Sequence, residues 1–133
     1  MNIQKRTQEH LNLLNKALSL TQEIAQKTTE GDLDVVVTLS ENRERLVQLI
    51  FHLFTQIDRD LNILTAEEIT PRLVQDLKMW QEHMNLLVDS INDLDEQIID
   101  RLEQDKSGAT AEIAQLFQTR ENLKGYDLSS VKK

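Results

Sequence analysis

The chain has 133 residues, with 15 lysines and arginines against 23 aspartates and glutamates, a net charge of −8, and no cysteine. Without cysteine there is no disulfide, thiol nucleophile or thiolate metal site. The acidic balance argues against nucleic acid as the main partner and against anionic membrane surfaces, since both are bound largely through phosphate neutralisation. Three glycines, one proline and 4% aromatics leave little turn or strand chemistry, so the expectation is an all-helical protein folded as a single domain over residues 1–133. The first residues are polar, and the most apolar patch, residues 46–54, is interrupted by Gln48 and His52 and is too short to span a bilayer. A cytoplasmic protein without signal peptide or membrane insertion is expected.

The first helix is expected over about residues 3–28. Leu11, Leu14, Leu18, Thr21 and Ala25 make one seam, and Leu13, Ala17, Leu20 and Ile24 a second beside it. A face this wide suits burial in the chain's own bundle, or a bundle core together with a homodimer contact. Gly31 can take the left-handed position that ends one helix and Asp32 can cap the next, so a second helix should fold back over about 33–64. Its seam is Val36, Ser40, Arg43, Val47, Ile50, Phe54, Ile57, Leu61 and Leu64, widened by Leu39, Leu46, Leu49 and Leu53.

Residues 65–70 form the second joint, and the third helix is expected over about 71–106. Thr70 can cap it, Pro71 suits its first position, and Ile69 and Val74 stand where a hydrophobic staple would. Leu73, Leu77, Trp80, Met84, Leu87, Ile91, Leu94, Ile98 and Leu102 form one stripe at alternating steps of four and three. At 1.5 Å per residue the stripe is about 45 Å long and needs equally long antiparallel neighbours. Gly108 marks a weak point, beyond which a shorter helix over about 110–124 carries Ile113, Leu116, Phe117, Arg120 and Leu123 on its face and ends at Gly125. Residues 126–133 lack periodicity and read as a loosely held tail. The fold class is therefore all-α, an antiparallel bundle of three long helices with a shorter fourth packed on it.

Catalytic and metal chemistry find little support. A carboxylate-bridged di-iron bundle needs inward Glu-x-x-His pairs, yet His10, His52 and His83 follow Thr7, Leu49 and Trp80 at that spacing. Each histidine is read as a surface or boundary residue. No strand-turn-helix surrounds a serine and no glycine-rich loop is available for a phosphate. A non-enzyme with no catalytic, metal or cofactor-binding residues is expected. Trp80 and Met84 are read as bundle interior.

One charge pattern needs its own explanation. Between residues 89 and 105 there are seven acids against Arg101, and five of them, Asp89, Asp93, Glu96, Asp100 and Glu103, form one stripe away from Ile91, Leu94 and Ile98. Like charges at this spacing destabilise a helix by about 0.2 to 0.5 kcal/mol per pair. Two readings remain, a solvated outer face or a docking face for a basic partner. Phe117 and Tyr126 belong to a short helix and tail that can detach at modest cost and uncover apolar surface.

Gly31-Asp32-Leu33-Asp34 followed by Leu39, Arg43, Leu46 and Ile50, then Ile91-x-x-Leu94-Asp95-x-x-Ile98, and finally Arg120-x-x-Leu123-Lys124-Gly125-Tyr126 resemble the small flagellar export chaperones of the FliT-like family. The resemblance implies a type III export chaperone. Such a protein binds a filament cap protein or similar substrate, prevents its premature assembly and passes it to the export apparatus. It also implies that the last helix, through Ile113, Leu116, Phe117, Leu123 and Tyr126, limits access to the partner-binding face. A partner helix is expected in a groove bounded by Leu87, Ile91, Leu94, Ile98 and Leu102, with the acidic stripe steering it; the same five positions serve equally as plain core. The alternatives are a self-associating structural or regulatory coiled-coil protein and a hook-junction-type export chaperone.

Overall fold

The computed structural model describes residues 3–104. The expected break at Gly108, the covering helix with Ile113, Leu116, Phe117 and Leu123, and the tail with Tyr126 lie outside the described residues. Three helices follow one another, α1 (Ile3–Glu30), α2 (Leu33–Asn62) and α3 (Pro71–Gln104), and no strand occurs among the described residues.

The two joints are built differently. At the first, Gly31 has φ 78°, its N–H donates to Thr28 O and the Asp32 N–H donates to Lys27 O, both at 3.1 Å. These two bonds are a Schellman closure, which returns orphan carbonyls at the end of α1 to hydrogen bonding. Asp32 does not cap α2 as expected, since its side chain makes no cap bond; its backbone is already committed to closing α1. At the second joint α2 stops at Asn62, two residues earlier than the apolar pattern suggests. Thr65 and Glu68 provide a competing local arrangement. The Thr65 N–H and hydroxyl donate to Glu68 Oε1 at 2.9 and 3.0 Å, and the Glu68 N–H donates to Thr65 O at 3.0 Å. The Thr65 backbone N–H, then its hydroxyl, hold the Glu68 carboxyl below the usual carboxylate range. Thr70 then caps α3, its hydroxyl accepting from Leu73 N–H at 3.1 Å.

The helix α1 packs closely along both partners, whereas the backbones of α2 and α3 approach each other at few points. Serving two neighbours explains the width of its apolar face. Its buried residues are Ile3, His10, Leu11, Leu14, Ala17, Thr21, Ile24 and Thr28, taking Leu11, Leu14 and Thr21 from one expected seam and Ala17 and Ile24 from the other. Leu13 and Leu18 pack on one core cluster and Leu20 and Ala25 on another. On α2 the buried residues are Val36, Ser40, Arg43, Val47, Ile50, Phe54 and Ile57, all from the expected seam. The stripe of α3 is buried except at Leu77 and Leu94, which are half-exposed.

Gly31 is the position least tolerant of a side chain at the turns. A Cβ there meets nothing within 4 Å, so Gly31→Ala should lose only the left-handed conformational preference, about 1–2 kcal/mol in urea unfolding. Gly31→Asn should lose less. Equal stability of Gly31→Ala and the parent would contradict the closure described for this joint.

Candidate functional site

Four features of the bundle carry chemistry beyond simple apolar packing. The first is an aromatic layer to which each helix contributes one ring: His10 from α1, Phe54 from α2 and Trp80 from α3, with centroids 5.5–6.1 Å apart. Trp80 Nε1 donates to His10 Nδ1 at 3.2 Å, which places the proton of the neutral ring on Nε2. His10 is therefore core and not the surface or boundary residue its type suggested; it is 1% exposed. Its position was legible in the spacing, four residues before Leu14 on the line through Ala17, Thr21 and Ile24. Burial pushes the imidazole down to about 4. His52 and His83 are exposed as expected.

The second is a buried polar layer midway along the bundle. Arg43 on α2 donates from both terminal nitrogens to Asp95 on α3, Nη2 to Oδ2 at 2.6 Å and Nη1 to Oδ1. Arg43 is 1% and Asp95 6% exposed. Ser40, Asn92 and Thr21 complete the layer; Thr21 donates to Ala17 O at 2.7 Å. Arg43 was visible as a charge on an apolar seam, but Asp95 was not. Between Ile91 and Ile98 a four-three pattern can pass through either position 94 or position 95, and hydropathy favours Leu94. Arg43 across the interface decides for Asp95.

The third is a cavity of about 350 Å³ between α2 and α3 at the end where they are joined. Leu61, Leu73, Leu77 and Trp80 line it, Ile69 and Val74 stand half-exposed beside them, and Lys78 and Gln81 supply polar atoms. The wide spacing of α2 and α3 leaves this cleft open. Ile69 and Val74, at the staple positions, both line this cavity. The fourth is the outer face of α3, where Asp89, Asp93, Glu96, Asp100 and Glu103 are all exposed.

The residues expected to bound a partner groove are placed differently. Leu87, Ile91, Ile98 and Leu102 are buried in the core and Leu94 is half-buried, so these positions fill the bundle interior and offer no open groove as folded. Among the described residues no large apolar side chain of α1 is exposed, no group of three or more metal-ligating side chains comes together, and no helix is long and apolar enough to cross a membrane.

Compared with known proteins, the chain matches no family model, no curated protein and no solved structure.

Two predictions follow from the buried polar groups. The folded state favours neutral His10, so its contribution is complete above about pH 6.5 and is lost as pH falls toward 4. That loss amounts to about 3 kcal/mol. Urea midpoints between pH 7 and 4, followed by the fluorescence of Trp80, should fall less steeply in His10→Gln than in the parent; parallel profiles would refute it. Asp95→Ala should cost about 3–5 kcal/mol, because Arg43 is left buried without its counter-charge. A loss below about 1 kcal/mol, typical of an exposed pair, would show that the pair is solvated.

Proposed function

We propose that this protein is a non-enzymatic export chaperone of the flagellar type III kind, binding an apolar helical segment of an export substrate, such as a filament cap protein, and handing it to the export apparatus. The observation that carries this reading is the cleft between α2 and α3. Leu73 and Trp80 form its buried floor, Leu61 and Leu77 are half-buried, and Ile69 and Val74 remain 46% and 51% exposed at its side. An amphipathic helix laid between two long helices buries such a surface with anchors one turn apart. The resemblance of the Leu94-Asp95-x-x-Ile98 run and the Arg43 region to the FliT-like chaperones points the same way.

In this reading the partner site lies at the cleft rather than at Leu87, Ile91, Ile98 and Leu102, and the acidic face of α3 supplies long-range attraction. Charges of this kind act mainly on the rate of encounter. Asp93 and Asp100 stand about 24 to 35 Å along α3 from Leu77, so a basic segment that meets them lies well away in the client from the apolar anchors. The self-associating alternative would need an apolar surface on α1, and the described residues of α1 expose none of the large apolar kind.

Calorimetry with the C-terminal segment of a filament cap protein tests the proposal. The double variant Ile69→Asp/Val74→Asp, altered at exposed positions, should stay helical and bind about tenfold or more weakly, about 1.4 kcal/mol or more. Asp93→Lys/Asp100→Lys should slow association and weaken its salt dependence while leaving dissociation almost unchanged. Unchanged affinity in the folded cleft variant would sink the proposed site, and no binding by the parent would turn attention to another client or to self-association.

A further inference from the structure

The core is not continuous along the bundle. Ten buried residues, among them Leu14, Phe54, Trp80 and Ile91, fill the end beside the second joint. Among the described residues four, Ile24, Val36, Ile98 and Leu102, form the buried cluster at the Gly31 end, with Leu20, Leu33, Val37 and Ile99 partly buried against it. The layer of Thr21, Ser40, Arg43, Asn92 and Asp95 lies between them.

That layer couples the two clusters weakly. Apolar layers cooperate because opening one exposes the next to water. A buried ion pair behaves differently, since hydration offsets much of the attraction lost when it opens. Ser40 Oγ and Asn92 Nδ2 are buried with no hydrogen-bond partner among the described protein groups, and each gains one from water on opening. A recess of about 420 Å³ beside Gly31 reaches Leu33 and Leu102, and the backbones of α2 and α3 give little direct support to each other.

We propose that the polar layer divides the bundle into two cooperative units, and that the Gly31 end, residues 21–43 of α1 and α2 with residues 92–104 of α3, opens while the aromatic end stays folded. Opening bares Ile24, Val36, Ile98 and Leu102 together, an apolar surface that the closed bundle hides. The Arg43–Asp95 pair is the latch of this movement, holding α2 to α3 where their backbones stand apart. The device is independent of what the cleft at the other end binds.

Hydrogen exchange on the full chain, resolved along the sequence at denaturant too low for global unfolding, tests it. Amides in residues 22–30, 34–42 and 95–104 should exchange about tenfold or more faster than those in 11–18, 47–57 and 80–91. The variant Arg43→Met/Asp95→Leu replaces the layer's charges with apolar groups and should bring the two sets within about threefold of each other. Ser40→Ala leaves the pair in place and should slow the Gly31 end by about threefold; it serves as the readout if the double variant does not fold. Uniform protection along all three helices of the parent overturns the proposal. So does a gap that neither variant narrows, which is the pattern expected from fraying of helix ends alone.

Discussion

The bidentate contact of Arg43 with Asp95 is the constraint on which the middle of this bundle depends. The helices α2 and α3 are each packed against α1 but scarcely against one another. Something must set their relative height across that gap, and a guanidinium held in plane by both oxygens of one carboxylate does so with directional bonds that apolar packing lacks. With both partners almost wholly buried, a slip of either helix by one turn would strand two charges in the core. That is a far larger penalty than mismatched leucines incur. The same pair interrupts the apolar core, so alignment is gained at the expense of continuity.

The wide separation of α2 and α3 has a second consequence at the other end of the molecule. There the space is filled by rings rather than by an ion pair, with Phe54 and Trp80 reaching across and His10 closing the layer from α1. The rings do not fill all of it. Beyond Trp80 the gap continues as the apolar cleft between Leu61 and Leu77, beside the exposed Ile69 and Val74. One geometric fact, that α1 is the shared neighbour, thus underlies the ion pair, the aromatic layer and the cleft. The cleft supports a reading as a helix-binding protein, and the acidic back of α3 is compatible with a basic client.

The buried seam of α2 was legible from Val36 to Ile57, Ser40 and Arg43 included, while Leu61 and Leu64 at its end are only half-buried. The face of α1 was harder to read. A helix between two partners buries a broad arc, and any two heptad lines drawn through a broad arc look equally good, so the buried set takes Leu11, Leu14 and Thr21 from one line and Ala17 and Ile24 from the other, with His10 outside both. On α3 the line was right at Trp80, Met84 and Ile91 and wrong at position 95. The candidate groove illustrates the same limit. Leu87, Ile91, Ile98 and Leu102 are identified by periodicity as a face that must be covered, and periodicity is silent on whether a partner or the chain itself covers it.

By itself the sequence determined the three helices, the left-handed turn at Gly31, the Thr70 cap and the acidic outer stripe, because each rests on interactions within a few residues along the chain. The tertiary structure alone decided that His10 meets Trp80, that Arg43 finds Asp95, that α2 and α3 stand apart and that a cleft opens beside Ile69. These depend on the relative height and spacing of helices about fifty to seventy residues apart in the chain. Helical periodicity specifies an angle around one axis, whereas a buried pair specifies a height along two, and only the folded bundle contains both.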